Sequence, residues 1–406
     1  MALKDDEKYM MMALELAANG AGHTSPNPLV GAVIVRDGEV IGAGWHEYCG
    51  GLHAERNAIK DCLERGNDPK GATIYVTLEP CCHYGKTPPC TEAIIERGFA
   101  RVVYGAFDPN PKVAGKGLEI LKKAGIEVDG PVLNKECLEI NDIFFHYITT
   151  GLPFVIMKYA MTADGKIAAY TGDSRWVTGE AARKHTHMTR KRVAAIMVGI
   201  GTVLADDPML NCRLDEPDLK RDGTPFEKSV DPVRVVCDSK LRIPLDCQLV
   251  KTAKEIRTIV ACASGVSNEA AEKKATLEKA GVEIIEVMAD RDGHASLPLI
   301  IEKLGALGLD SVLLEGGAEL NFSALEDGIP DKLQVYIAPK LIGGAGAKSP
   351  IGGQGIPKMA DCVNLGKPKI TELGDDLLIE YRFVNEPEDE SGEADATEED
   401  DRCSQE

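Results

Sequence analysis

The sequence predicts an α/β protein made of two consecutive layered domains and an acidic tail. Three observations carry that prediction. A chain of 406 residues with 44% apolar content is too long for one ordinary core and apolar enough to fill two. β-rich runs alternate with segments of helical period along most of it, the pattern of helices layered on sheets. The alternation resets at Thr149-Thr150-Gly151-Leu152-Pro153, a stretch of turn residues. The expected units are residues 1–150, 151–385 and the tail 386–406.

In the first unit, residues 5–19 place Met11, Met12, Leu14 and Leu16 at helical spacing and stop at Asn19-Gly20. The methionines read as core packing. Ser25-Pro26-Asn27-Pro28 is a loop. Leu29–Val35 and Glu39–Trp45 are strands joined by a hairpin at Arg36-Asp37-Gly38. Cys49-Gly50-Gly51 leads into a helix from about His53 to Arg65. Ala72–Leu78 is a buried strand ended by Glu79-Pro80, and Cys90 opens a helix running to Arg97. A strand at Arg101–Tyr104, a helix at Gly115–Lys123, a strand at Ile126–Val128 and one last helix at Leu133–Tyr147 complete the unit.

The second unit begins with a strand at Phe154–Met161 and a turn at Asp164-Gly165-Lys166. A helix follows at about Gly179–Arg192, then a buried strand at Ala194–Gly199. Strands recur at Val233–Cys237, Thr258–Cys262 and Glu283–Glu286, with a helix at about 267–280. Ser311–Leu314 is a strand that runs through Glu315-Gly316-Gly317 into a helix. Lys332–Ala338 and Ile370–Phe383 are the last strands.

Charge and cysteine usage limit the function classes. The net charge is −19, and residues 386–406 hold 11 Asp or Glu against one Arg. An acidic body lacks the basic footprint of a nucleic-acid binder, and the tail has the composition of a disordered segment. The 12 cysteines are scattered without the dense regular spacing of a disulfide scaffold. No signal peptide or long apolar run appears, so the expected protein is soluble, reduced and cytoplasmic, with no membrane partner.

The chemistry is concentrated in residues 53–90. His53-Ala54-Glu55 and Pro80-Cys81-Cys82-His83-Tyr84-Gly85-Lys86-Thr87-Pro88-Pro89-Cys90 offer an imidazole and two well-spaced thiols. A catalytic zinc site uses three protein ligands and leaves one position for water; His53, Cys81 and Cys90 are the candidates. Helix N-termini favour thiolates, which suits Cys90. Glu55 is left to move protons between water and a departing nitrogen. A structural zinc site would add Cys82 or His83 as a fourth ligand. Cys82 otherwise packs as a small hydrophobe, His83 braces the loop or touches substrate, and Cys49 does not ligate.

His-x-Glu followed by Pro-Cys-x-x-Cys marks zinc nucleobase deaminases. Here eight residues separate the two cysteines, and the loop resembles that of the pyrimidine deaminase of riboflavin biosynthesis, Pro-Cys-x-His-x-Gly-x-x-Pro-Pro-Cys. The second unit is similar to the reductase domain of the same bifunctional family in Met157–Lys166, Ser174-Arg175-Trp176, Thr202–Pro208, Asp238–Arg242 and Glu315-Gly316-Gly317. The resemblance implies a cytidine-deaminase-like three-layer domain followed by a dihydrofolate-reductase-like α/β domain. It implies a zinc ion and NADPH as cofactors, a phosphorylated pyrimidine as substrate, and a homo-oligomer.

By the same resemblance Ala160, Trp176, Thr202, Asp206 and Ser239 are cofactor contacts. Gly317, Ala318, Glu319, Leu320, Asn321, Phe322 and Ser323 surround the pyrophosphate. Ser174, Arg190, Leu210, Arg213 and Glu315 are substrate contacts. A guanidinium binds phosphate in a fork, which agrees with Arg190 and Arg213 as phosphate contacts, although without the resemblance each reads equally as a surface helix or loop charge; a Gly-Gly pair opening a helix suits an anion. Taken alone, Gly199-Ile200-Gly201 and Glu315-Gly316-Gly317 each read more readily as tight turns. Lys158 lies on the first strand of the unit, where a place facing the substrate is one reading and its role is left open. The expected reactions are deamination of 2,5-diamino-6-(5-phosphoribosylamino)pyrimidin-4-one and reduction of its ribosyl group to ribityl. The rivals are a free-base or tRNA deaminase and a zinc-stabilised binding protein.

Overall fold

The computed structural model describes residues 2–84, 88–109, 115–214, 217–226, 230–265 and 268–384. Gly85, Lys86 and Thr87 of the cysteine loop and the whole tail 386–406 lie outside the described residues.

Helix α1 (Ala2–Ala18) precedes a hairpin of β1 (Gly31–Arg36) and β2 (Glu39–Trp45), turned by Asp37 and Gly38, both at positive φ. Next come α2 (Ala54–Glu64), β3 (Thr73–Val76), α3 (Cys90–Glu96), β4 (Arg101–Tyr104), α4 (Lys116–Lys123), β5 (Glu127–Asp129), α5 (Asn134–Ile140) and α6 (Asp142–Thr150). The strands form one sheet in the order β2-β1-β3-β4-β5, with β1 antiparallel to both neighbours and the rest parallel. Strand alternation divides its core into two layers. Ala32, Ile34, Ile74 and Val102 pack under α2, α3 and α4, while Val33, Val35, Tyr75 and Val103 pack against α1 and Cys137 of α5.

Helix α2 reaches this sheet because β2 carries glycines beneath it. A Cβ on Gly42 would lie 2.6 Å from the Ala58 carbonyl oxygen, and one on Gly44 would lie 2.5 Å from the Ala58 nitrogen. The backbones touch only where no side chain stands between them.

The second sheet contains β6 (Phe154–Thr162), β7 (Ala195–Gly199), β8 (Val233–Cys237), β9 (Thr258–Ala263), β10 (Val282–Val287), β11 (Ser311–Leu314), β12 (Lys332–Ala338), β13 (Lys369–Leu373) and β14 (Asp376–Arg382). Its order is β10-β9-β8-β7-β11-β6-β12-β14-β13, parallel except for the terminal hairpin. Between the strands run α7 (Glu180–Arg192), α8 (Ile200–Asp206), α9 (Gln248–Lys251), α10 (Asn268–Ala280), α11 (Leu297–Ala306) and α12 (Ala318–Glu326). Val155, Met197 and Ile259 pack against Ile300 and Leu304 on one face. Ile196, Val236 and Val260 pack against Leu249 and Leu277 on the other. Order reverses where β11 returns between β7 and β6, so the carboxyl ends of these strands border a crevice of the kind that holds ligands in open α/β sheets.

Three expectations need correction. The single helix at Leu133–Tyr147 is two helices broken at Asn141, whose side chain accepts from Leu29 N–H and donates to Leu29 C=O. The single strand at Ile370–Phe383 is a hairpin turned at Gly374, which has φ +68°. Helices α8, α9 and α11 are absent from the expected elements, although Pro298 in the first turn of α11 is a start signal.

Candidate functional site

In the N-terminal domain, His53 is the N-cap of α2, and Cys90 is the first residue of α3. Cys81 follows Pro80 on the segment leaving β3. The fold brings all three together. His53 Nδ1 lies 3.4 Å from both Cys81 Sγ and Cys90 Sγ, and the backbone N–H of Cys90 points to Cys81 Sγ at 3.3 Å. Their donor atoms all lie within 4.8 Å of one another, and they are the one such metal-competent group among the described residues. Cys81 is held down to about 4 by the Cys90 thiol against the opposing effect of burial, and by His53; the Cys90 thiol is correspondingly pushed up. One imidazole and two soft sulfurs converging in a buried corner fit zinc. Cys49 and Cys82 do not belong to the group. Cys82 is half-buried, with its thiol raised by burial.

Glu55 lies in the first turn of α2 and is only 3% exposed. Burial and then the negative charge of Cys81 push its carboxyl above the usual range. It faces a cavity of about 370 Å³ that also touches Asn27, His46, His83, Asp108, Phe144, Tyr147 and Ile148. His83 is exposed at this cavity, so brace and substrate contact both remain compatible with its position. Asn27 Nδ2 lies 3.1 Å from His46 Nε2, and His46 Nδ1 lies 2.9 Å from Leu52 O, one residue before His53. Sequence reasoning missed Asn27, His46, Asp108 and the α6 side chains. An amide held between Pro26 and Pro28 was the available signal.

In the C-terminal domain, Glu315 stands at the carboxyl end of β11. Arg190 of α7 grips it through Nε at 2.7 Å and Nη2 at 2.8 Å, and Lys158 of β6 lies 4.0 Å away. Burial alone would raise the Glu315 carboxyl, but Arg190 and Lys158 hold it down to about 2. Burial lowers Lys158, although Glu315 opposes it. Burial, Arg190 and Arg213 lower His187 to about 4. The fork of Arg190 is thus taken by Glu315 instead of lying open to a phosphate, whereas Arg213 is exposed.

The cofactor candidates divide into two groups. Thr202 Oγ1 donates to Gly316 O at 3.2 Å, beside the uncapped start of α12 at Gly317. Buried Asn321 Oδ1 lacks a hydrogen-bond partner there, and a Cβ on Gly316 would come within 2.5 Å of it. The free backbone N–H groups of a glycine-lined helix start fit a dinucleotide phosphate approaching the backbone, whereas the Asn321 oxygen would take a donor such as a hydroxyl. Glu319 accepts from Gly353 N, Asn321 donates to Pro350 O, and Phe322 packs on Gly353. The contacts that stretch 317–323 can offer are therefore mainly backbone ones. Ser239 Oγ already accepts from Ala295 N, and Leu210 is buried in the core. Ala160 is half-buried on β6. Ser174, Trp176 and Asp206 are exposed, Trp176 at 66%, with the Arg183 guanidinium over its ring at 4.8 Å.

Residues 3–106 match the cytidine and deoxycytidylate deaminase zinc-binding region, and residues 153–379 match the RibD C-terminal domain. The riboflavin biosynthesis protein RibD of Actinobacillus pleuropneumoniae is 52% identical over 381 residues, covering 94% of this chain and 96% of that protein. Among solved structures, form 1 of Acinetobacter baumannii RibD has a TM-score of 0.78 at 35% identity, covering 94% of this chain and 99% of that one. A diaminohydroxyphosphoribosylaminopyrimidine deaminase/5-amino-6-(5-phosphoribosylamino)uracil reductase from Thermotoga maritima has a TM-score of 0.77 at 35% identity, covering 95% and 100%.

Proposed function

From the premise that this chain belongs to the RibD family of bifunctional riboflavin-biosynthesis deaminase–reductases, we propose which residues perform each of its two reactions. The protein is a zinc-dependent deaminase joined to an NADPH-dependent reductase. Its substrate in the first reaction is 2,5-diamino-6-(5-phosphoribosylamino)pyrimidin-4-one, and the second reaction reduces the ribosyl group to ribityl. The domains are residues 1–150 and 151–385, a division supported by the two separate sheets.

His53, Cys81 and Cys90 hold the zinc ion. Zinc bound there supplies Lewis acidity, which brings the pKa of water toward neutrality. Glu55 takes a proton from the attacking water and passes it to the departing amine as the ring C–O bond forms and the C–N bond breaks. The observation that carries this reading is the buried carboxylate of Glu55 two residues from an imidazole that faces two sulfurs.

In the reductase, NADPH supplies hydride to C1′ of the opened sugar. The start of α12 receives the pyrophosphate. Thr202, Ser239, Ala160, Trp176 and Asp206 border the dinucleotide. Glu315, locked by Arg190, and Lys158 hold the sugar end of the substrate in a fixed field, while exposed Arg213 meets its phosphate. Ser174 and the Leu210 backbone complete the substrate contacts.

No disulfide joins the described cysteines, which is in keeping with a reducing, cytoplasmic setting. No helix among the described residues is long and apolar enough to cross a membrane. A second copy of the chain is the expected partner. Among the described residues β13 is the terminal strand of the sheet, with Ile370 exposed, and its edge is the surface proposed for pairing with that copy.

The test uses both substrates. The diamino compound without NADPH should release ammonia. Its deaminated product should drive NADPH oxidation without ammonia. Absence of either reaction in zinc-replete protein overturns the corresponding half of the assignment.

A further inference from the structure

The C-terminal domain sends out one small hairpin, residues 217–226, that touches neither site directly. A β-bridge pairs Leu219 with Pro225, Phe226 N–H donates to Asp218 O at 3.0 Å, and Asp222-Gly223 makes the turn with Gly223 at φ +80°. The hairpin sets Asp218 and Phe226 side by side and puts Arg221 near its tip.

All three residues engage the N-terminal domain. The Phe226 ring stacks on His23 with centroids 3.7 Å apart and 13° between planes, and Tyr48 meets it edge-on at 6.4 Å. Asp218 Oδ2 lies 3.0 Å from His23 Nε2, and its other oxygen pairs with Lys191. The Arg221 backbone N–H donates to Glu47 at 3.1 Å, and its guanidinium reaches Asp61 at 3.3 Å and Glu64 at 2.9 Å on α2.

These contacts fall on the outer side of the loops whose inner side lines the deaminase cavity. His23 O accepts from Cys49 N at 3.0 Å, tying the segment before Pro26-Asn27-Pro28 to the segment before His53. Pro26, Asn27, Pro28, Gly50 and Gly51 line the cavity, whereas no residue of the hairpin does. His46 bridges the two loops through Asn27 and Leu52.

We propose that the 217–226 hairpin of the reductase domain is a positioning element for the deaminase: Phe226 and Asp218 clamp His23, and Arg221 clamps Glu47 and α2, which together hold the substrate-binding loops in register with His53 and Glu55. A contact that only glued the domains together would have no reason to fall on these two loops. The hairpin follows the reductase substrate segment at Arg213 in sequence and is tied by Asp218 to Lys191, the residue next to Arg190. The deaminase pocket, lined by N-terminal residues alone, is therefore held in its working shape by the reductase domain beside it.

This inference rests on the functional reading above, and the experiment separates the two. Full-length, zinc-replete wild type, Phe226→Ala, Phe226→Tyr and Arg221→Ala are compared. Ammonia release is followed on the diamino substrate and NADPH oxidation on the deaminated one. Small displacements of a binding loop cost about tenfold or more in catalytic efficiency. Phe226→Ala should lower deaminase kcat/KM by about tenfold, chiefly through KM. Arg221→Ala should lower it by about threefold or more. Phe226→Tyr, which keeps the stack, should restore it, and reductase kcat/KM should stay within about twofold throughout. The proposal is overturned if Phe226→Ala and Arg221→Ala both leave deaminase KM and kcat unchanged, or if both activities fall in parallel. A wild type that releases no ammonia overturns the functional reading, and the inference with it.

Discussion

Replacing Glu55 with Gln removes one proton-carrying oxygen and keeps the side-chain volume. Glu55 is 3% exposed, on the first turn of the helix that His53 caps, so its replacement stays seated where it is. The amide can hydrogen-bond but cannot take a proton from water and return it to nitrogen. A positioned general acid–base contributes about 10²–10⁴-fold, which corresponds to about 3–5 kcal/mol of barrier. Deaminase kcat should fall by that factor with little change in KM. Zinc content should be unchanged, because the proposed ligands are His53, Cys81 and Cys90 and do not include Glu55. NADPH oxidation on the deaminated substrate should stay within about twofold of wild type. Stopped assays of ammonia, metal analysis by mass spectrometry and reductase kinetics on one preparation make the comparison. Retention of deaminase turnover within about fivefold would refute the proton-carrier assignment. Loss of zinc together with turnover would instead make Glu55 part of the metal site.

Four other outcomes are expected. Chelation should abolish ammonia release while leaving NADPH oxidation, with zinc restoring the first activity; parallel loss of both would contradict two independent sites. Glu315→Gln leaves Arg190 and Lys158 buried without their counter-charge, a change that costs about 3–5 kcal/mol. Its reductase kcat/KM should drop by about 100-fold or more while the deaminase persists. His187 sits at about 4 against an ordinary value of about 6.5. The native state binds fewer protons than the unfolded state as pH falls through that window, so this group removes stability on acidification, and its NMR signals should not titrate between about pH 5 and 8. Asp6 is depressed by Arg101 and Tyr75 against the cost of burial. Its stabilisation is present above about pH 3.9 and lost as pH falls through its lower native value; Asp6→Asn should cost about 2 kcal/mol near neutrality in denaturant titrations and weaken that acid dependence.

Much of the fold was legible because it is encoded locally. Arg101–Tyr104, Val233–Cys237, Ser311–Leu314 and Lys332–Ala338 begin and end as the sequence predicts, since β-rich runs there are bounded by turn residues. The break at Asn141 was not legible, because the amide's partner is the backbone of Leu29, more than a hundred residues away. Helix α11 is not legible because a short apolar run between turns has no clear period, and the terminal hairpin is not because a lone Gly374 inside a strand pattern suits a bulge as well as a turn.

The sequence by itself determined the chemistry of the deaminase: an imidazole, a nearby carboxylate and two cysteines, one of them on a helix start, whose types and short-range spacing leave few alternatives. It also determined that a second α/β unit follows. Only the tertiary structure decided how the site is enclosed and connected. Asn27 meets His46, Phe144 and Tyr147 wall the cavity from α6, Arg190 turns its fork to Glu315, and Phe226 stacks on His23 across the domains. Ligand type is a property of single residues and their neighbours. These pairings depend on sheet order and on which loops the crossovers bring together, and local patterns do not specify either.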